Sequence, residues 1–470
     1  MATISSPGIG SGLDVNSIIT QLMAIEKQPL TKLQTTESTI QTQISEVGKL
    51  KSALATFRDL GTQIVSTDFW RQSKGSVSGE AASVTTGAAA TPGEYSLEVT
   101  SLAAAQSTAT APFASSAALL SAGTLSIAMG SYASGSFVGT AGTTAVDVAV
   151  TATDTLASVR DKINAAGAGV TASILTDANG ARLMLRSNAT GAANAFRTSV
   201  SPSGGALDQL AFDRTGGVNA AAQTQAGTDA SVKFNGLVLA SASNTMTDVV
   251  DGVTLQLKAK TSTPLTVSIS NDTDAMKDTL TKFASAYSDL AKLIATDTRY
   301  DAATKKSGPL QGDSAIVGLQ MRLRGLIGGT APASSAFKRM SDAGFELQRD
   351  GSLTVNATRL DNALANLPQL KLAFANADLA DRTQNGVARR LRDAADEVLG
   401  IDGALTSRTD GLNAKLDRNR DAQDRMQTRL AQTQARLEKE YTALDAKLGT
   451  LNGINAYVTQ QVTAWNKSSA

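Results

Sequence analysis

The 470-residue chain contains no cysteine and no histidine. These two absences remove disulfide scaffolds, thiolate nucleophiles, imidazole bases, Cys/His zinc sites and the usual haem ligation. Aromatic residues make up only 4% of the chain, and 43 Lys and Arg against 42 Asp and Glu leave a net charge of +1. A nucleic-acid binder needs a basic footprint and stacking platforms, and the composition supplies neither. There is no run of 18 apolar residues, so no transmembrane helix is predicted. No Lys or Arg precedes Lys27, so the positively charged start of a secretory signal is missing. The expectation is a chain that stays in the cytosol or leaves the cell by a route that needs no cleaved signal. Absence of cysteine also suits passage, unfolded, through a narrow channel.

What is present is unevenly distributed. A chain of this length accommodates about three domains. Residues 76–270 and 276–470 are each 195 long, yet they hold 21 and 49 charged residues respectively. The first span is rich in Ala, Gly, Ser, Thr and Val. It carries short alternating runs such as Tyr95–Val99 and turn pairs at Asn179-Gly180, Asn235-Gly236 and Asp251-Gly252. Period-two alternation between such pairs predicts antiparallel hairpins.

The two ends read as helix. A short stretch from Val15 to Ile25, capped by Asp14, is followed by Pro29. Then Leu33, Ile40, Ile44, Val47, Leu50, Leu54, Phe57, Leu60 and Ile64 form one amphipathic stripe. Near the C-terminus, Leu412, Leu416, Asn419, Gln423, Met426, Leu430, Thr433 and Leu437 step alternately by four and three. After an extra step of four the ladder resumes at Tyr441, Leu444, Leu448 and Leu451. It continues through Asn455, Val458, Val462 and Trp465. A sustained 3.5 repeat predicts a coiled-coil seam, and the doubled step resembles a stutter. As helix, residues 410–466 would run about 85 Å. Packing within the monomer and packing against a partner chain both remain open for this seam. Asn419, Gln423 and Thr433 on it either set register or mark a solvent-exposed stretch.

Residues 276–400 are helix-patterned with one interruption, the alternation about Asp350-Gly351 between Phe345 and Val355. The economical fold class is α+β. Paired long N- and C-terminal helices form coiled-coil or bundle legs, with one or two β-rich head domains inserted between them.

Candidate chemical motifs are weak. Gly8-Ile9-Gly10-Ser11-Gly12 lacks a preceding strand for a dinucleotide fingerprint and reads as a lead-in to a helix cap. Ser335-Ala336-Phe337-Lys338 has the S-x-x-K spacing of Lys-assisted acylases, without the companion elements. Asp272 and Asp274 lack the rest of a calcium loop and suit a helix start. No catalytic, cofactor-binding or metal residue is expected, and no cofactor.

The opening Pro7-Gly8-Ile9-Gly10-Ser11-Gly12-Leu13-Asp14-Val15-Asn16, with Ile18-Ile19, Leu22-Met23 and Glu26-Lys27, resembles the start of the flagellar filament capping proteins (FliD, hook-associated protein 2). Phe234-Asn235-Gly236-Leu237, Ser243-Asn244-Thr245, Asp251-Gly252-Val253-Thr254-Leu255, Asp272-Thr273-Asp274, Gly351-Ser352-Leu353 and Tyr441-x-x-Leu444 resemble later parts of that family, in order. Residues 155–200, with Ile163-Asn164 and Leu183-Met184-Leu185-Arg186-Ser187, are similar to a short repeat of hook and flagellin heads.

The resemblance implies a division of the chain. Residues 1–40 would be an N-terminal leg and 41–75 the first part of a helical stalk. Residues 76–109 and 226–274 would form an inner β head, and 110–225 an outer β-rich head. The stalk would return through 275–440, with a hairpin near 345–355, and 441–470 would be the C-terminal leg. It implies a structural cap at the distal tip of the filament, outside the cell, that promotes folding and insertion of exported flagellin, prevents its loss, and is needed for motility. Implied partners are further copies of itself in a ring, flagellin, the hook–filament junction proteins and the export chaperone FliT, with no nucleic acid and no membrane insertion. The expected oligomerisation seam is Leu412, Leu416, Met426, Leu430, Leu437, Tyr441, Leu444, Leu448, Leu451, Val458 and Val462. Alternatives are another axial flagellar subunit, a tip adhesin binding host mucin, or an enzyme using Ser335 and Lys338.

Overall fold

A computed structural model of the chain describes residues 14–132, 135–216, 220–303 and 305–468. The glycine-rich stretch Gly8–Gly12 and the family-like opening up to Leu13 lie outside the described residues. The helices are α1 (Val15–Glu26), α2 (Gln28–Val65), α3 (Leu156–Ala166), α4 (Thr273–Thr298), α5 (Ser314–Gly328), α6 (Ala357–Leu364), α7 (Leu367–Ala375), α8 (Val387–Leu399) and α9 (Ala404–Ser468). Packing divides the chain into two units. One comprises the residues up to Trp70 together with Lys277 onward, and the other is Arg71–Met276.

The first unit is helical. Asp14 accepts the Ser17 N–H at 2.9 Å and starts α1, which buries Val15, Ile19 and Met23 at four-residue spacing. The helix breaks at Lys27, and α2 opens with Pro29 in its first turn, where a missing N–H is tolerated. Buried Ile40, Val47, Leu50, Leu54, Phe57 and Ile64 keep one face of α2 toward its neighbours α8 and α9. Phe57 stacks on Phe283 of α4 at 4.7 Å between ring centres. At Gly61 an added Cβ would lie 3.3 Å from the Arg392 Cβ, so the glycine lets α8 approach closely. Asp272 accepts the Ala275 N–H at 3.1 Å and caps the start of α4.

Two hairpins interrupt these helices. Phe345–Leu347 pairs with Leu353–Val355 around Asp350-Gly351, where Gly351 has φ +90°. Tyr300–Asp301 pairs with Lys306–Ser307. The single interruption read from the sequence is thus corrected to two. The second has no glycine-containing turn pair. Its turn is set by the Asp301 carboxylate, which accepts the Ala303 N–H at 2.9 Å, and by Lys305 at φ +55°.

The unit Arg71–Met276 is mainly antiparallel sheet. A five-stranded sheet runs Ser73–Val77, Leu265–Asn271, Gly93–Ser101, Ala230–Phe234, Leu237–Ser241. Asn235 and Gly236 both take positive φ, +47° and +83°, and close the last hairpin in two residues. Ala82–Thr86, Val253–Leu257 and Thr245–Val250 form a three-stranded sheet. Leu97, Val99, Val232, Leu255 and Val267 belong to one buried core.

A second core lies within residues 113–210 and contains Leu125, Ile127, Val159, Ile163, Leu183 and Phe196. It is built from Gly123–Ser131 with its neighbours Ala195–Ser201 and Val146–Val150, from the hairpin Val170–Asp177/Gly180–Ser187, and from α3. Helix α3 is absent from the sequence reading of this span. Its signals are the Thr155 cap on the Ser158 N–H, the Leu156/Val159/Ile163 spacing, and Gly167 at φ +63° after its end. In front of α3, Asp154 receives Lys162 Nζ at 2.5 Å, the Thr151 N–H at 2.7 Å and Ser158 Oγ at 2.9 Å. These donors, Lys162 foremost, hold its carboxyl well below the usual carboxylate range.

Candidate functional site

The C-terminal seam lies on α9, 65 residues of unbroken helix, about 97 Å at 1.5 Å per residue. Its two halves have different surroundings. Leu412, at 0% exposure, Leu416 and Leu430 are buried within the first unit, and Met426, Leu437 and Tyr441 are half-buried. Val15, Ile19 and Met23 of α1 form a single cluster with Leu430, against which Met426, Leu437 and Tyr441 also pack. The first half of the seam is therefore occupied by the chain's own N-terminal helices. Beyond Tyr441 the periodicity continues without such cover among the described residues. Leu448 is half-buried, while Leu444, Leu451, Val458 and Val462 are exposed, Leu451 at 58% and Val462 at 52%.

Asn419 and Gln423 are buried rather than frayed. Gln423 Nε2 donates to Glu37 Oε2 of α2 and to Asn419 Oδ1, both at 2.7 Å. Arg420 Nε donates to Glu37 Oε1 at 3.0 Å. The Gln423 hydrogen bond, then Arg420, holds the Glu37 carboxyl below its ordinary range. Thr433 is half-buried. Shifting α9 along α2 by one residue would break this network and strand buried polar groups, so the network fixes the pair's register. The sequence reading did not identify Glu37. The available signal is a carboxylate four residues after Leu33 on the α2 stripe, facing a polar gap in an otherwise apolar C-terminal seam.

The other sequence candidates have local roles. Ser335 N–H and Oγ both donate to Gln369 Oε1, at 2.9 and 3.1 Å, and the Lys338 carbonyl accepts the Ala331 N–H at 2.7 Å. The Ser335 hydroxyl thus gives its proton to an amide oxygen that gathers the 334–337 turn. Asp274 pairs with Lys74 Nζ at 2.5 Å. Among the described residues no helix is long and apolar enough to cross a membrane.

Comparisons with known proteins bear on this architecture. Three family models match the chain: "Flagellar hook-associated protein 2 N-terminus" at residues 11–106, "Flagellin hook IN motif" at 136–189, and "Flagellar hook-associated protein 2 C-terminus" at 227–453. The N- and C-terminal models of one flagellar hook-associated protein, flanking a flagellin hook motif, define a hook-associated protein of the bacterial flagellum. Flagellar hook-associated protein 2 of Escherichia coli K12 is 30% identical over 473 residues, spanning 98% of each chain. The A-type protein of that name from Pseudomonas aeruginosa is 31% identical, spanning 97% of each. The crystal structure of the D1-D2-D3 domains of the flagellar cap protein FliD from Escherichia coli superposes with a TM-score of 0.62 at 28% identity. It covers 78% of this chain and 99% of that one. The chain belongs to the flagellar hook-associated protein 2 family, the filament caps of the flagellum.

Proposed function

We propose that this protein works at the filament tip as a ring of identical subunits joined in part by the second half of the α9 seam. The observation that supports this is the continuation of one apolar ladder from a buried half, ending near Tyr441, into an exposed half from Leu444 to Val462. A stripe of that length, uncovered, leaves apolar area in water, and its burial between helices is worth roughly 25 cal/mol per Å². In this reading the cap acts by packing, without catalysis. It retains exported flagellin at the tip and promotes its folding and insertion. Before assembly the same exposed stripe is the surface that an export chaperone of the FliT kind would cover, and secretion proceeds without a cleaved signal. Contact with the hook–filament junction proteins belongs to the same proposal.

The experiment is a deletion strain complemented with seam variants, scored for flagellin in the medium and for swimming. Loss of the protein is expected to leave flagellin export intact, with flagellin shed and filaments short or absent. Leu451→Asp with Val462→Asp is expected to reproduce the deletion while the purified variant keeps its melting temperature. Normal filaments in the deletion strain would refute the cap role. Normal filaments with the double variant would refute the role of this seam.

A further inference from the structure

Asp297 stands near the C-terminal end of α4 and is only 4% exposed. Its Oδ2 has no hydrogen-bond partner among the described residues. A buried carboxylate oxygen without a donor is costly, and structures resolve the cost by protonation, by a bound group or by local opening. The chain folds closely over the backbone of the same residue. Residues 306–310 return over the end of α4, where the Leu310 N–H donates to the Asp297 carbonyl at 2.9 Å. Gly308 approaches so tightly that an added Cβ would lie 2.3 Å from that carbonyl oxygen. The same segment is tied to α2 by Gln43 Nε2 donating to the Pro309 carbonyl at 3.0 Å.

The charged groups that act on Asp297 are both on α2. Glu46 raises its proton affinity and Lys49 lowers it. Lys49 is held by Glu46 at 2.9 Å and its own side chain is 60% exposed, so it offsets the second carboxylate only in part. Lys306, on the returning segment, points no charge inward, being exposed. Burial first, then Glu46, pushes the Asp297 carboxyl up from its ordinary value.

We propose that Asp297 is a proton-operated latch: protonated, it seats residues 306–310 against α2, and ionised, it loosens them. Taking a proton from solvent turns Oδ2 into a hydroxyl donor and removes the repulsion with Glu46. Losing it restores an unpaired buried charge that local opening would hydrate. Because the folded-state carboxyl titrates above the unfolded one, the stabilisation is complete below the unfolded value of about 3.9 and is lost as pH rises through the folded value.

The test uses the full-length chain. Hydrogen exchange of the Gly308 and Leu310 amides, corrected for intrinsic pH dependence, is measured across the acid-to-neutral range for wild type, Asp297→Asn and Glu46→Gln. The Asp297 carboxyl carbon is followed by NMR in parallel. Expected are protection that falls as pH rises in wild type, protection independent of pH in Asp297→Asn, and a downward shift of the Asp297 midpoint in Glu46→Gln. An Asp297 midpoint at or below the ordinary aspartate value would overturn the latch. So would a wild-type pH profile retained in Asp297→Asn, or an unmoved midpoint in Glu46→Gln.

Discussion

Glu37 and Gln423 lie 386 residues apart in the chain and are joined by a 2.7 Å hydrogen bond between α2 and α9. Gln423 is buried and also bonds Asn419, so removing either Glu37 or Gln423 leaves polar atoms without partners. We predict that Glu37→Leu and Gln423→Leu each lower the melting temperature of the helical unit. The double variant should be less destabilised than the sum of the two. Thermal unfolding followed by helix circular dichroism gives the double-mutant cycle, and strict additivity would contradict the coupling.

The acid response of the same pair has a definite sign. The folded-state Glu37 carboxyl titrates below its ordinary value. Its contribution is therefore present above the unfolded value of about 4.3 and is lost as pH falls through the folded one. As pH falls below about 4.3, Glu37→Gln should show a flatter melting profile than wild type. A steeper one would be evidence against this assignment.

The two halves of the α9 seam should respond differently to the same substitution. Leu412 is fully buried, and Leu412→Ala is expected to cost about 2–5 kcal/mol. Leu451 is mostly exposed within the chain, so Leu451→Ala should leave unfolding of the monomer within about 0.5 kcal/mol of wild type. Light scattering should show weakened self-association only for the second variant at temperatures where both are folded. Equal destabilisation by the two would mean that the outer half is covered within the monomer.

The β-rich unit carries its own acid-labile point at Asp154. With Lys162, Thr151 and Ser158 all donating to it, the ionised carboxylate is strongly preferred in the folded state. Asp154→Asn should lower the melting temperature of that unit at neutral pH. The difference from wild type should shrink steadily as pH drops below about 3.9, where the unfolded carboxylate takes up its proton. A difference that stays constant into strong acid would contradict this.

Ser335→Ala and Lys338→Ala are expected to leave swimming unchanged, because the Ser335 hydroxyl serves only the turn around Gln369. Lost motility with melting unchanged would restore a chemical role for the pair.

Local signals account for what the sequence discloses. Asp14 before an apolar stripe marks the start of α1, and Asn179-Gly180, Asn235-Gly236, Asp251-Gly252 and Asp350-Gly351 each sit at the turn of an observed hairpin. Each depends on backbone preferences that act within four residues. The hairpin Tyr300–Asp301/Lys306–Ser307 lacks such a pair, and α3 is short enough to be lost among strands. The seam shows the other limit. Leu416 and Leu451 look alike in a helical repeat, yet one is buried and the other exposed. What distinguishes them is how far α1 and α2 extend along α9, a tertiary property absent from the repeat. Glu37 is of the same kind, since its partners lie in a helix that only the folded chain brings near.

The pairing of α2 with α9 also orders events in time. The ribosome must have delivered Gln423 before Glu37 can meet it, whereas the contacts within Arg71–Met276 need only one uninterrupted stretch of chain. Closing so long a loop adds entropy cost and slows the search, so the β-rich unit is free to form while the helical ends are still waiting for one another. A chain cut off before Ala404 would keep a foldable centre and lose the partner that its first two helices require. The helical unit closes only where both ends of the chain are present.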